Sequence, residues 1–298
     1  MSELEEKGVC IFAYNNDQLD YIQFSIIAAL YAKRQMDNIS VTLITDSGTS
    51  AWMRDSMDTV LIDRSFDHIV LDDTEQTKNS RTHMDSPWTE FNAQFNNSNK
   101  HLVFELSPYE KTLLIDVDFL ICNPFYNYVF DTDEPIAMHR FAQYIGNEMP
   151  YRNEITLNDA GINHWWSTVV YFDRSEESKL FFDTWAHVKD HWEYYSLLYQ
   201  FPKGLFRTDF CVSIATHIMS GFNNNYTMHD FSGTPLLNMD QKDDIVEFNS
   251  MNDIVFLKHN RQEQWKNILI RHENDNLHIM NKRALARNYN KILGLINE

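Results

Sequence analysis

The sequence is poor in the residues that break or cross-link a polypeptide chain. Its 298 residues include only 8 glycines, 7 prolines and 3 cysteines. Scarce glycine and proline exclude a collagen-like or low-complexity chain, and no tandem repeat or linker is visible. Cys10, Cys122 and Cys211 lie in apolar stretches, without the spacing of a zinc site or a disulfide framework. We therefore expect buried, reduced thiols that take no part in chemistry.

The sequence also contains few basic residues relative to acidic ones. The chain has 25 Lys and Arg against 43 Asp and Glu, for a net charge of −18. Such an acidic chain is not expected to bind nucleic acid indiscriminately. The charge is unevenly distributed, because residues 258–298 contain eight basic and four acidic side chains. This basic C-terminal segment could still present one surface to a polyanion.

Long hydrophobic runs and several catalytic motifs are missing as well. Residues 24–32 form the longest apolar stretch near the N-terminus, about half of the ~20 residues that a membrane-spanning helix needs. The first seven residues are acidic and show no signal peptide, so we expect a cytoplasmic protein. The sequence contains neither a P-loop nor a nucleophile elbow, which makes a phosphohydrolase the weaker interpretation.

The sequence does contain enough hydrophobic residues for a large core, and their pattern predicts an α/β fold. Hydrophobic residues make up 43% of the chain and aromatic residues 14%. Residues 8–14 predict a strand, Asp17 is a candidate cap of a helix that runs to about residue 36, and residues 41–45 predict a second strand. Strand, helix and strand in such a short stretch indicate a βαβ unit and a parallel sheet.

Later segments predict further elements around this unit. Residues 67–71 and 135–139 favour strands, whereas residues 72–99 are polar and predict a loop with one short helix near residues 88–95. Residues 165–172 predict a strand, and helices are expected from about residues 175 and 207. Short strands near residues 245–248 and 254–257 precede a basic terminal helix that begins near residue 283.

Two carboxylates follow the most apolar predicted strand. Residues 111–115 run into Asp116 and Asp118, and a second apolar run ends at Asn123 and Pro124. Side chains alternate along a strand, so carboxylates at i and i+2 can converge on one point. A divalent cation carrying a phosphate would offset their repulsion. Tyr14 and Asp46 also follow predicted strands, at the edge where open α/β sheets bind ligands.

On these residues the chain resembles the GT-A glycosyltransferases, most closely the glycogenin-like and lipopolysaccharide-galactosyltransferase type. The resemblance covers roughly residues 8–283, and its most specific part is the Asp-x-Asp stretch at residues 109–118. The strand and helix at residues 169–185, the helix-opening Asp209 and the His278–Lys282 stretch are also similar to the family. The implied fold is a single GT-A domain, a Rossmann-like βαβ nucleotide-binding sheet fused to an acceptor-side α+β region. Its parts would be residues 8–125 for the nucleotide sugar, 126–257 for the acceptor and 258–298 for the basic segment.

The resemblance also implies a role for each candidate residue. Asp116, Asp118 and His278 would bind Mn²⁺ or Mg²⁺, and Asp209 would contact the donor sugar or the acceptor hydroxyl as the catalytic residue. The remaining nucleotide-sugar contacts would come from Ala13, Tyr14, Asp46, Lys100, Asp116 and Lys282.

Each role has a structural alternative. Asp46 and Asp209 would also serve as helix caps, Tyr14 as a core residue, and Lys100 and Lys282 as surface lysines. His259 competes with His278 as the third metal ligand. The chain departs from the family at Trp166–Ser167–Thr168, where an Asn-x-Gly is usual, and the glycine between His278 and Lys282 is missing.

The resulting functional prediction is a metal-dependent transferase that moves a sugar from a nucleotide sugar to an acceptor hydroxyl. The resemblance implies retention at the anomeric centre. The acceptor would be a glycan or, since the C-terminal segment is basic and residues 192–201 are strongly aromatic, a hydroxylated base in bacteriophage DNA. The alternative is a non-catalytic protein of the same fold that binds nucleotide sugars or carbohydrate. A bacteriophage-encoded enzyme would act in the host cytoplasm.

Overall fold

Strands and helices alternate through the first part of the chain, and a strand-rich region follows. The computed structural model describes residues 4–75, 79–95, 98–147, 155–157, 159–201, 206–224, 228–231, 233–260 and 266–297. Its strands are β1 (Glu5–Phe12), β2 (Ser40–Thr45), β3 (His68–Leu71), β4 (Asn79–Ser86), β5 (Thr89–Phe95), β6 (Tyr109–Ile115), β7 (Phe119–Leu120), β8 (Ile136–His139), β9 (Ala142–Tyr144), β10 (Thr156–Leu157), β11 (Ile162–Asn163), β12 (Trp166–Asp173), β13 (His229–Asp230), β14 (Leu236–Met239), β15 (Asp244–Ser250), β16 (Asp253–Lys258), β17 (Ile268–Glu273) and β18 (Leu277–Ile279). The α-helices are α1 (Tyr21–Gln35), α2 (Ser47–Ser56), α3 (Thr59–Ser65), α4 (Val103–Leu106), α5 (Glu176–Asp190), α6 (Trp192–Leu198), α7 (Thr208–Met219), α8 (Lys282–Arg287) and α9 (Tyr289–Asn297).

The central sheet has seven strands in the order β13-β8-β12-β6-β1-β2-β3. Strands β6, β1, β2 and β3 pair in parallel, and β12 runs antiparallel to both β6 and β8. Parallel neighbours need a crossover, which α1 supplies between β1 and β2. The predicted α/β class and its βαβ unit are therefore confirmed.

Helix α1 is buried on most of its surface because it packs against both the sheet and α9. Its first turn is capped by Asp20, whose side chain accepts hydrogen bonds from the backbone N–H groups of Ile22 and Gln23. The sequence predicted Asp17 as the cap, and that prediction is wrong by one turn. Asp20 takes the role because the helix begins only at Tyr21, so the N–H groups of its first turn are within reach of the Asp20 carboxylate.

The polar segment after β3 is not the predicted loop with a short helix, and this prediction is wrong. Strands β4 and β5 form an antiparallel hairpin, in which Asn79 pairs with Phe95 and Ser86 pairs with Thr89. The Ser86 hydroxyl accepts hydrogen bonds from the N–H groups of Trp88 and Thr89, which fixes the turn. Because the hairpin pairs with itself and lies at the protein surface, it needs few apolar residues, and its composition resembles that of a loop.

A four-stranded sheet of order β7-β18-β14-β9 adjoins the central sheet. Strand β7 begins directly after Asp118, and β18 pairs with it so that His278 lies opposite Phe119. A further antiparallel sheet consists of β15, β16 and β17. The last strand of that sheet was not predicted, whereas the terminal helical region near residue 283 is confirmed as α8 and α9.

Candidate functional site

The two predicted carboxylates lie at the carboxyl end of β6, in a tight turn that leads into β7. The Asp116 N–H donates to the carbonyl of Thr168 (2.9 Å), and the Asp116 carbonyl accepts from the N–H of Phe119 (3.0 Å). These bonds hold the turn to β12 and to its own next strand. Asp118 is almost completely buried, while the Asp116 side chain is 20% exposed. The turn therefore presents one buried and one accessible carboxylate.

The pairing of β18 with β7 brings a histidine from the far end of the chain to these carboxylates. The Ile279 N–H donates to the Asp118 carbonyl (2.8 Å), and His278 Nε2 lies 3.5 Å from Asp118 Oδ1. One ligand atom each from Asp116, Asp118 and His278 lies within 4.8 Å of the other two. Among the described residues, only these three form such a group of potential metal ligands.

The imidazole of His278 is held in an orientation that suits a metal ligand. Its Nδ1 donates to Oδ1 of Asn238, which is fully buried on the neighbouring strand β14 (3.0 Å). With the proton on Nδ1, the Nε2 lone pair is directed toward Asp118. A hydrogen bond on the far ring nitrogen of this kind is the usual support of a histidine metal ligand. Two carboxylates and one imidazole are a donor set that fits Mn²⁺ or Mg²⁺.

Two lysines bring positive charge to the same carboxylates. Lys100 forms an ion pair with Asp116 and donates to the Ser167 carbonyl (2.9 Å), although its side chain is only 2% exposed. Lys282 forms an ion pair with Asp118. Burial acts to raise the pKa of Asp118, but the charge of the Lys282 ammonium outweighs burial and holds that pKa well below its usual value. Asp118 is therefore ionised.

Asp209 lies in the first turn of α7 and faces the same space. Its Oδ1 accepts from the N–H of Ser167 (3.0 Å) and from the Ser167 hydroxyl (2.8 Å), and its Oδ2 accepts from Arg207 Nη2 (2.9 Å). Burial acts to raise the pKa of Asp209, but Arg207, His164 and the Ser167 hydrogen bonds lower it well below its usual value. The residue is thus an ionised carboxylate held by three donors, with no capping contact to its own helix.

These groups line one cavity of about 450 Å³. The metal-ligand cluster and its lysines form one part of the wall, and Asp209 with Arg207 forms another. Strand β4 supplies Ser80, Arg81, Thr82 and His83, and aromatic walls come from Phe12, Tyr14, Tyr21 and Trp166. Of the nucleotide-sugar residues that the sequence predicted, the cavity is lined by Tyr14, Lys100, Asp116 and Lys282.

The other predicted residues are placed differently. Ala13 is buried in the chain after β1, where its N–H donates to the Ile44 carbonyl (3.0 Å). Asp46 caps α2 by accepting from the N–H of Thr49 (2.7 Å), and it lines a second, more open cavity of about 730 Å³. The competing ligand His259 lies outside the metal-ligand cluster, with its ring against Trp88 (5.5 Å between centroids).

Tyr14 serves the core as well as the cavity. Its hydroxyl donates to Asp72 Oδ2 (2.8 Å), which ties the end of β1 to the segment after β3. Only 6% of the residue is exposed, so one side of the ring packs in the interior while another side faces the cavity. Tyr14 is therefore a core residue that also lines the cavity, and its contact with a nucleotide stays a prediction.

Sequence reasoning missed the cavity residues Arg81, His83 and Arg207. Arg207 could have been found, because it lies two residues before Asp209 and extends from the same helix start. Arg81 and His83 gave no such signal, since their place in the cavity depends on the hairpin. Burial together with the charges of Lys282 and Arg81 lowers the pKa of His83 to about 4, so its imidazole is neutral near pH 7.

The longest α-helices in the described ranges are α1 and α5, with 15 residues each. No helix there is both long enough and apolar enough to cross a bilayer.

Comparisons with known proteins found similarity only among solved structures. No protein-family model matches the sequence, and no curated protein sequence matches it. The structure is similar to the galactosyltransferase LgtC in complex with donor and acceptor sugar analogues, with a TM-score of 0.43 and 9% identity, over 70% of this chain and 69% of that one. It is also similar to the apo form of the glycosyltransferase GlyE of Streptococcus pneumoniae TIGR4, with a TM-score of 0.41 and 12% identity, over 76% of this chain and 46% of that one.

A third solved structure belongs to another kind of enzyme. It is a 4-diphosphocytidyl-2C-methyl-D-erythritol synthase from Anaerococcus prevotii DSM 20548, with a TM-score of 0.37 and 11% identity, over 76% of this chain and 86% of that one. At these scores and identities the similarities carry no argument about function. The proposals below therefore depend on the site itself.

Proposed function

We propose that the chain is a metal-dependent GT-A glycosyltransferase, which moves a sugar from a nucleotide-sugar donor to an acceptor hydroxyl. The observation that carries this proposal is the cluster of Asp116, Asp118 and His278 beside Lys100 and Lys282. The cluster lies at the carboxyl end of a parallel strand, which is where open α/β sheets bind nucleotides. Carboxylates with adjacent lysines suit a divalent cation that carries phosphate groups.

In this proposal, three residues of the cluster would bind the metal and the two lysines would bind the diphosphate. Asp116, Asp118 and His278 would hold Mn²⁺ or Mg²⁺, which when bound supplies Lewis-acid stabilisation of the charge on the leaving diphosphate. Lys100 and Lys282 would bind phosphate oxygens as point charges. Their present partners are the metal-ligand carboxylates, so both ammonium groups are already within reach of that diphosphate.

Asp209 is the proposed catalytic residue on the sugar side of the cavity. Its low pKa keeps it ionised, so it acts as a hydrogen-bond acceptor or an electrostatic partner of the sugar rather than as an acid. Retention at the anomeric centre is part of the proposal and is supported by the family resemblance alone. The coupling constant of the anomeric proton in the NMR spectrum of the first-formed product tests it.

The nucleotide would occupy the cavity near Tyr14, with the backbone of Ala13 beside it. Asp46 would contact the base or ribose only if the nucleotide extends into the neighbouring open cavity, since Asp46 lines that one. Asp46→Asn provides the test. Weaker nucleoside diphosphate binding with an unchanged melting temperature supports the contact, whereas a lower melting temperature alone indicates a helix cap.

For the acceptor we propose a hydroxyl of a glycan. Several basic side chains of residues 258–298 form ion pairs within the chain: Arg271 with Asp253, Arg287 with Asp85 and Asp244, and Lys291 with Glu247. These ion pairs reduce the positive potential of the basic segment, on which DNA binding would depend. Arg261 lies outside the described residues. A DNA acceptor requires binding at low ionic strength, and a salt-dependent gel shift with duplex and single-stranded DNA would reverse our preference.

The alternative is a binding protein without turnover. What favours it is the arrangement around Asp209, because Ser167, from the stretch that departs from the family pattern, uses one oxygen and Arg207 uses the other. A substrate hydroxyl must then share these oxygens. Oδ1 already accepts two hydrogen bonds from Ser167, but Oδ2 can accept a second one beside that from Arg207, so the arrangement is compatible with catalysis.

Release of nucleotide distinguishes the two functions. The full-length protein is incubated with a panel of uridine, guanosine, thymidine and cytidine diphosphate sugars and Mn²⁺, and free nucleotide is measured with and without EDTA. We expect release from one donor that stops with EDTA and resumes with excess Mn²⁺. Tight, Mn²⁺-dependent binding without any release, even after a glycan acceptor panel is added, would instead establish a binding protein.

A further inference from the structure

Two arginines meet on the Asp209 side of the cavity, although they come from separate elements. Arg81 is on β4 of the hairpin, and Arg207 immediately precedes α7. Arg81 Nη2 donates to the carbonyl of Phe206 (3.1 Å), the residue just before Arg207. Both side chains line the cavity. The two guanidinium groups are therefore held in the same region of the cavity wall.

Arg207 is fixed in direction by its surroundings. It pairs with Asp209, and its guanidinium lies over the rings of Trp166 (5.9 Å) and Phe210 (5.2 Å). Two rings and a carboxylate leave the group few rotamers, so it is preorganised for a ligand. Its side chain is still 33% exposed, and a ligand in the cavity can reach it.

The close approach of Arg81 to Arg207 is electrostatically unfavourable. Burial and the charge of Arg207 together lower the pKa of Arg81 to about 10, with Asp209 acting in the opposite direction. The described lining holds four cationic side chains, Arg81, Lys100, Arg207 and Lys282, and three carboxylates, Asp116, Asp118 and Asp209. An anionic ligand would relieve the repulsion between the arginines, and guanidinium groups match carboxylates and phosphates in a two-pronged geometry.

The two arginines contact different groups from the cations of the part of the cavity that would hold the diphosphate. The cations of that part are Lys100 and Lys282, each on one of the metal-ligand carboxylates. Arg81, by contrast, is held by the Phe206 carbonyl beside Arg207, and it interacts electrostatically with Arg207 and Asp209 more strongly than with Asp116. An anion at the arginines would thus be a group of the substrate other than its diphosphate.

We propose that Arg81 and Arg207 form a second anion subsite, which recognises a carboxylate or phosphate on a sugar substrate. The inference rests on the proposed function and narrows it to acidic sugars: uronates or phosphosugars. Hydroxyl groups of Ser80, Thr82 and Thr208 line the same cavity and would contact the sugar's own hydroxyls. Arg81 and Arg207 are specificity-determining residues in this scheme.

The test measures binding by isothermal titration calorimetry with the full-length protein. The probes are glucuronate, glucose 6-phosphate and glucose, each with Mn²⁺ present. We expect the two acidic probes to bind at least about tenfold more tightly than glucose, roughly 1.4 kcal/mol. Arg81→Gln and Arg207→Gln should each remove most of that preference, whereas Arg54→Gln on the exposed end of α2 should not change it.

Three outcomes would overturn the subsite. These are equal affinity for glucose and glucuronate, no binding of any probe, and an Arg81→Gln variant that weakens Mn²⁺-dependent uridine diphosphate binding as much as glucuronate binding. Arg81→Lys keeps the charge without the planar fork, and it serves as a second variant if Arg81→Gln does not fold by circular dichroism. Acidic-sugar preference without any nucleotide release would leave the subsite standing and refute the transferase.

A competition experiment assigns the anion to donor or acceptor. Glucuronate is titrated again with the uridine diphosphate sugar that binds most tightly already present at saturation. Persistent glucuronate binding places the anionic group on the acceptor, and exclusion of glucuronate places it on the donor sugar. Either result supports the subsite, because both require Arg81 and Arg207.

Discussion

Asp118 joins two cationic or imidazole side chains and one backbone group of the candidate site. Its carboxylate meets Lys282 and His278, and its carbonyl accepts from the N–H of Ile279. Asp118→Asn keeps the shape and removes the charge that binds the cation. We expect Mn²⁺-dependent nucleotide release to fall by about 100-fold or more while the circular dichroism spectrum is unchanged.

The matched control is Asp63→Asn, which removes one exposed carboxylate from α3. It should leave nucleotide release within about twofold of the wild type, since surface substitutions have small effects. Full activity in Asp118→Asn would contradict a metal site at this carboxylate.

Asn238 is expected to act on the metal through His278. Asn238→Leu removes the acceptor for the Nδ1 proton, so the imidazole can rotate or change tautomer. We expect Mn²⁺ affinity, measured by calorimetry, to fall by roughly 10- to 100-fold. Asn238→Asp retains an acceptor at the same position and should restore most of the affinity. An unchanged affinity in Asn238→Leu would mean that His278 does not bind the metal.

At the residue scale, the sequence could predict the site wherever function leaves a local pattern. Asp116 and Asp118 stand out because they interrupt an apolar strand, and His278 was identified through a family pattern. Arg81 could not be predicted, because its neighbour Arg207 lies far away in the chain. Only the folded hairpin brings the two together.

Among the elements, the β4–β5 hairpin contributes many residues to the cavity and few to the core. Strand β4 provides four lining residues, and the hairpin is attached through Asp85 to Arg287 and through the Phe91 ring to Arg283 (3.7 Å). Asn79 and Phe95 are paired neighbours, so a short linker can join them. We predict that replacing residues 80–94 with Gly-Gly weakens nucleoside diphosphate–Mn²⁺ binding by at least about tenfold.

The same replacement should leave a cooperative unfolding transition, because the hairpin pairs only with itself in the sheets. Calorimetric unfolding and binding titrations on one preparation check both statements. Loss of the cooperative transition would show that the hairpin is part of the core, and unchanged binding would show that it does not form the cavity.

Helix α1 is joined to the C-terminal strands by one buried hydrogen bond. The hydroxyl of Tyr31, which has no exposed surface, donates to the Met251 carbonyl (2.7 Å) between β15 and β16. Tyr31→Phe leaves that carbonyl without this donor, and we expect a loss of about 1–3 kcal/mol in the free energy of unfolding by urea. Tyr194→Phe, at a 61% exposed position, is the control and should change it by less than about 0.5 kcal/mol.

At the element scale, the strands and helices with clear apolar periodicity were predictable from the sequence. The strands that form only because a neighbouring strand pairs with them were not. The β1–α1–β2 unit follows from its own residues. The hairpin and β17 are polar or exposed on one side, so their pairing determines their structure. Strand β18 has only three residues, and its pairing with β7 is what completes the metal-ligand cluster.

On the scale of the whole molecule, buried histidines make stability depend on pH. His139 is almost fully buried between the Tyr126 hydroxyl (2.7 Å) and the Thr234 carbonyl (2.8 Å), and burial lowers its pKa from 6.5 to about 4. The unfolded chain therefore binds a proton that the native state does not between these values. Stability is fully present above pH 6.5 and is lost as the pH falls toward 4.

We predict that His139 alone contributes roughly 2 kcal/mol to the difference in unfolding free energy between pH 7 and pH 5. Urea unfolding of His139→Gln should show a correspondingly smaller change over that interval, whatever its stability at pH 7. An identical pH dependence in variant and wild type would contradict a depressed pKa at His139.

The ion pairs of the C-terminal segment have a consequence for the rate at which substrate arrives. With several of its basic groups neutralised internally, the protein presents an acidic exterior to solution, consistent with a net charge of −18. The proposed nucleotide-sugar donor is negatively charged, so it would be repelled until it comes within about 10 Å of the cavity's own cations, the screening distance at 0.1 M salt. Added salt should therefore accelerate donor association, the reverse of electrostatic steering.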